Sequence, residues 1–134
     1  MRYGRVNIIA GAVGLVLCAL GGMALGFTFD RFAVQDGNHV LSLTRFYLRE
    51  GHSHGMPISI LNLVIGLLVD KLALSDRLKQ ACSWMAVAAF VLPVGLAAKG
   101  ASGAAADFPP FGLIGVLGLL GAASLLVLGA RRMK

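Results

Sequence analysis

From residue 6 to residue 29 the chain carries no charged side chain. A helix over that run is long enough to cross the hydrocarbon core of a bilayer, which takes about 20 residues. Three more apolar runs follow, at about 57–74, 81–98 and 110–130, divided by short clusters of charge. The second reaches a full span only if its flanks from Ser53 to Leu74 contribute. With 57% of its 134 residues hydrophobic and 13% charged, the chain lacks the polar surface that a soluble domain of this size needs. The expected fold is all-α, a single integral membrane four-helix bundle.

The cations orient such a bundle. With both termini on one side, eight of the twelve Lys and Arg residues fall there: Arg2, Arg5, Lys71, Arg77, Lys79, Arg131, Arg132 and Lys134. Arg31, Arg45, Arg49 and Lys99 fall opposite, with four of the six acids, Asp30, Asp36, Glu50 and Asp107. The positive-inside rule then predicts an N-in, C-in protein of the cell inner membrane, with all three histidines on the outer, periplasmic face. The net charge of +6 does not point to nucleic acid, because no basic run is interleaved with aromatics. The first apolar run exceeds the core of a typical signal peptide and reads as an uncleaved helix. Cys18 and Cys82 both fall inside apolar segments, with Cys82 near the face opposite the histidines, so no disulfide is expected.

Close packing is written into two of the spans. In the first, Ala10, Gly14, Cys18, Gly22 and Gly26 recur every four residues; in the fourth, Gly112, Gly115, Gly118 and Gly121 recur every three. Small-residue stripes let helices approach closely in lipid. The expected use is contact within the bundle, with a seam to a second chain as the other option. Asn62, polar inside the second span, is expected to make an interhelical hydrogen bond, and Gly66 lies on the same helix. Pro57 suits a first helical turn, and Pro93 should kink the third span.

Residues 30–55 form the longest polar segment. Asp36-Gly37-Asn38 signals a turn. Beyond it Val40, Leu41, Leu43, Thr44, Tyr47 and Leu48 recur near helical spacing, which predicts a short interfacial helix with Phe46 and Tyr47 at headgroup level. His52 and His54 then stand at a loop-to-helix junction, flanked by Gly51 and Gly55. In an extended segment two residues apart point to the same side. His52 and His54 would pinch one metal ion there, with His39 as third ligand, a set suited to zinc or copper. Alternatively Ser53 caps the helix and His54, in its first turn, faces inwards as a haem ligand. A third option is a pH-sensing histidine pair, and the plainest is polar loop residues without a ligand.

The stretch 49–66, opening Arg49-Glu50-Gly51-His52-Ser53-His54-Gly55-Met56-Pro57, resembles the start of the second helix in the catalytic subunit of haem-copper oxidases and nitric-oxide reductases, and in smaller related membrane proteins. In that family a His-x-His or His-Thr-Asn type motif opens a helix running inwards from the outer face, with a glycine about a dozen residues on, where Gly66 stands here. The resemblance implies that His54, or in second place His52, ligates a low-spin haem b. It covers eighteen residues of the 134. Spans three and four contain no histidine, so the family's second axial ligand and its copper ligands have no counterpart. Met23, Met56, His39 or a histidine of another subunit would complete a haem, and no oxidase site carries over.

No catalytic residues are assigned. Glu50 neighbours His52, but no nucleophile with a positioned base is visible, and no span holds an ionisable residue at mid-depth of the kind transporters use. Two functions fit. One is a small membrane protein that binds haem or a transition metal through its outer-face histidines, for electron transfer or metal handling. The other is a cofactor-free accessory subunit of a larger respiratory or transport complex, whose stripes meet other membrane subunits or a second copy.

Overall fold

The computed structural model describes residues 2–28, 43–103 and 111–133, and all regular structure among them is helical. The elements are α1 (Arg5–Phe27), α2 (Leu43–Leu68) with a closing 3-10 turn (Val69–Lys71), α3 (Asp76–Ala88), α4 (Val91–Ala101) and α5 (Gly112–Arg131). Four helical stretches are long and apolar enough to cross a membrane: Arg5–Phe27, Leu43–Lys71, Asp76–Ala101 and Gly112–Arg131.

The long helix α2 is the axis of the bundle. Both α1 and α4 lie antiparallel to it. Glycines set the α1–α2 separation. A Cβ on Gly4 would fall within the carbonyl group of Gly66, and one on Gly11 would meet Ser59 O at 2.7 Å. Further along, Gly14 abuts Ser59 and the Phe90 ring, and Gly22 abuts His52. Gly14, Cys18 and Gly22 of the α1 stripe are therefore used inside the chain, whereas at Gly26 a Cβ would meet nothing within 4 Å. The α5 stripe is likewise internal. Gly112, Gly115 and Gly118 are buried; Gly115 packs on Leu92, Gly118 on the Met85 carbonyl, and Gly121 on the Met85 thioether.

Near the end that holds the amino terminus, Ile65, Val69, Leu72, Cys82, Ala86 and Ala122 form the apolar core. Asn62 forms the expected interhelical bond there, donating to Ala86 O at 2.8 Å. Its partner Asn7, and Ser83 to which Asn7 also bonds, carry no charge and sit inside apolar runs, so charge patterning passes over them.

Two expectations about the second span are corrected. There is no loop at residues 49–56 and no separate interfacial helix ending near Leu48: one 26-residue helix runs from Leu43 through Pro57 to Leu68. Pro57 is exposed and stands four residues after exposed Ser53, so the helical bond it cannot donate is missing on an outer face. Phe46 is exposed at 40%, but Tyr47 is buried, with the Lys99 ammonium 5.4 Å from its ring centre. The third span breaks at Ala89–Phe90, just ahead of Pro93, where a kink was expected. It also runs beyond the expected end at residue 98: Lys99 and Gly100 are buried in α4, where Gly100 packs on Leu48 and Thr44.

Candidate functional site

At the end of the bundle away from the termini, α1 and α4 both pack on α2 but leave a cleft between them, of about 620 Å³. Small residues make the space: Gly14, Gly21 and Ala24 on α1, Ala97, Ala98 and Ala101 on α4, and Gly51 and Gly55 along the α2 floor. The same glycines hold the walls close. A Cβ on Gly51 would sit 3.0 Å from both Pro93 O and Ala97 Cβ, and one on Gly55 would collide with Cys18 Sγ. Phe90, Leu17, Leu25 and Leu48 complete an almost wholly apolar lining, broken by Thr28, Cys18 and His52.

His52 is the one imidazole of the cleft. It is half-buried, and its Nδ1 lies 2.8 Å from Cys18 O on α1. A carbonyl only accepts, so Nδ1 carries the hydrogen, and in the neutral ring Nε2 holds the free lone pair. No further hydrogen bond to the ring occurs among the described residues. The ring packs over Gly22, where a Cβ would come 2.7 Å from Cε1.

His54 points elsewhere. Two residues along a helix turn a side chain by about 200°. It is exposed, its Nδ1 facing Glu50 O at 2.9 Å and Glu50 Oε2 at 3.6 Å. Glu50 pairs with Arg49 at 3.1 Å. The extended pinch of one ion between His52 and His54 is thus replaced by two divergent histidines, because the backbone is helical there. His39 lies outside the described residues. Among those residues no group of three His, Cys, Asp or Glu side chains could hold a metal ion. Met23 is 57% exposed on α1, one residue past the Gly22 that faces His52, and Met56 is half-buried.

One cation ties α2 to the far end of α1. Buried Arg45 donates from Nη2 to Leu25 O at 3.0 Å and from Nη1 to Thr28 O at 3.4 Å, at the carboxyl end of α1. A cation suits that end of a helix.

The cleft walls were not legible as a site. Phe90 and Ala97 carry no signal in the sequence, while Cys18 stands out only as a packing residue and Pro93 only as a kink. Comparison with protein-family models, curated proteins and solved structures finds no match to the chain.

Proposed function

We propose that this is an inner-membrane protein, N-in and C-in, that holds a haem in the α1–α2–α4 cleft with His52 as axial ligand and serves electron transfer. The carrying observation is the Nδ1–H bond of His52 to Cys18 O at 2.8 Å. Histidines that ligate metals usually donate their second ring N–H to such a partner, which orients the ring and raises the basicity of the other nitrogen. The volume suits the reading too, within the roughly 300–1,000 Å³ of sites that bury a cofactor-sized molecule.

The resemblance to haem-copper oxidases placed the ligand first at His54; the cleft favours His52. A bare zinc or copper ion needs several convergent protein ligands, whereas a macrocycle brings four nitrogens of its own and asks for one. Bound haem would supply one-electron exchange. The chain's part is to orient the imidazole and exclude water with an apolar lining. With eight of its twelve cations at the end that holds the termini, the protein would expose the His52 cleft at the periplasmic side.

The test is the absorption spectrum of protein purified after expression with haem supply. A Soret band is expected in the native protein and in His54→Ala and Asn62→Ala, and its loss in His52→Ala of unchanged detergent sizing profile. No Soret band, or a band that depends on His54 and not His52, sinks the proposal. The reading as a cofactor-free accessory subunit has less support, because the stripes that suggested outward seams pack within the chain.

A further inference from the structure

At the other end of the bundle, α1 and α3 leave a groove of about 380 Å³ that includes the chain's single tryptophan, Trp84. Both helices begin at this end and run in the same direction away from it. Arg2 and Arg5 form the rim with Gln80, and Val6, Ile9 and Trp84 form the walls. Arg5 to Ile9 is one helical turn, as is Gln80 to Trp84. Over about 6 Å the groove therefore changes from cationic and polar to apolar. Ile9 and Trp84 are 55% and 56% exposed, so the apolar part opens sideways onto the outer surface of the bundle.

The charges at the rim are not neutralised locally. Among the described residues Arg5 forms no ion pair, and Arg2 has only a 3.4 Å pair with Asp76 in which both side chains are largely exposed. Pairs of that kind contribute little. The described part of this end holds five more cations, Lys71, Arg77, Lys79, Arg131 and Arg132, against the carboxylates of Asp70 and Asp76. A basic pocket over an apolar slot, with a tryptophan at the boundary, matches a phospholipid at the depth where phosphate gives way to acyl chain.

We propose that this groove binds one anionic phospholipid, its phosphate between Arg2 and Arg5 and an acyl chain along Ile9 and Trp84. The proposal rests on the membrane reading and is independent of haem. Because Trp84 is the only tryptophan, its fluorescence reports this groove without labelling. The experiment reconstitutes the full chain into phosphatidylcholine vesicles containing a small fraction of phosphatidylglycerol, with brominated acyl chains on one lipid or the other. Brominated phosphatidylglycerol should quench Trp84 well beyond its mole fraction. The preference should fall about fivefold for each arginine removed in Arg2→Gln and Arg5→Gln. Arg131→Gln with Arg132→Gln, at the same end but outside the groove, should keep it, and millimolar inorganic phosphate should not compete. Quenching by both lipids in proportion to their abundance overturns the lipid site while upholding insertion. Quenching by neither overturns insertion and lipid site together. Equal loss in both double variants reduces the effect to general surface charge and also overturns the site, and competition by inorganic phosphate makes it a phosphate site rather than a lipid site.

Discussion

Asn7 on α1 donates its side-chain amide to Asn62 Oδ1 on α2 at 2.9 Å, and both residues are fully buried. The same Asn7 amide donates to Ser83 O at 2.9 Å, while Ser83 Oγ donates to Asn7 Oδ1 and lies 3.0 Å from Tyr3 O. Asn62 completes the set with Ile58 O and Ala86 O. Three helices are thus joined through one satisfied polar cluster, and no buried side-chain nitrogen or oxygen among the described residues is left without a partner.

Truncating one member strands the others in an apolar setting. Asn7→Ala and Asn62→Ala should each lower stability by about 1–2 kcal/mol, the upper part of the range for hydrogen bonds between membrane helices. The double variant should cost clearly less than the sum, since the second truncation removes a group already stranded. Unfolding titrations of the four proteins in one detergent check this; additive losses would mean that the amides act independently.

Gly4, which precedes α1, and Gly22 and Gly26 within it should separate packing from site function. At Gly4 an added Cβ would collide with the backbone of Gly66, which cannot swing away, so Gly4→Ala should be strongly destabilising. Gly26 faces open space, and Gly26→Ala should be neutral or gain up to about 1 kcal/mol from lower unfolded-state entropy. At Gly22 the added methyl meets the far end of a side chain, Cε1 of His52, which can turn aside. Gly22→Ala should therefore change the melting temperature little but move the imidazole off Cys18 O. On the haem reading this lowers cofactor affinity about 10–100-fold, the usual cost of losing an orienting partner. Parallel melting curves and haem titrations check the split.

The four helices long and apolar enough to cross a membrane were legible because charge is absent from runs such as 6–29 and 110–130. The start of α2 was not legible, and the site depended on it. Gly51, Gly55 and Pro57 are poor helix residues, and His52, Ser53 and His54 are polar, so local propensity favours a junction. Tertiary contact reverses that preference: Gly51 is where α4 comes close, and Gly55 is where Cys18 does. A larger residue at either position would form helix more readily but hold the neighbouring helix off. The histidine cluster was visible in the sequence, while its division into an inward His52 and an outward His54 follows only once the segment is helical.

Asp70 closes the amino-terminal end of the bundle. Its Oδ2 accepts the Arg2 backbone N–H at 2.9 Å, its Oδ1 accepts that of Tyr3 at 3.0 Å, and its own carbonyl accepts from Lys79 Nζ at 2.8 Å. One residue after α2 thus ties the chain ahead of α1 to α3. Asp70→Asn keeps the shape but can accept through only one side-chain oxygen, the other position becoming a donor facing an N–H. The variant should keep its helix content while amide exchange speeds up at residues 4–8, beyond the one N–H group that directly loses its acceptor. Exchange unchanged across that segment would show that Gly4 and Gly66 hold it without the carboxylate.

The two cysteines offer a direct probe of the cleft. Cys82 is fully buried in the core, with Sγ 3.6 Å from Ala122 O, whereas Cys18 is half-buried and lines the cleft beside His52. A small apolar thiol reagent should therefore modify one cysteine per chain in detergent, Cys18, and reach Cys82 only on unfolding. Labelling should vanish in Cys18→Ser and persist in Cys82→Ser. It should also slow severalfold when the cleft is filled, so haem that protects Cys18 in the native protein but not in His52→Ala would tie occupancy to the imidazole. Haem that gives a Soret band without protecting Cys18 would be bound elsewhere, which would move the site away from the α1–α2–α4 cleft and leave His52 as a packing residue over Gly22.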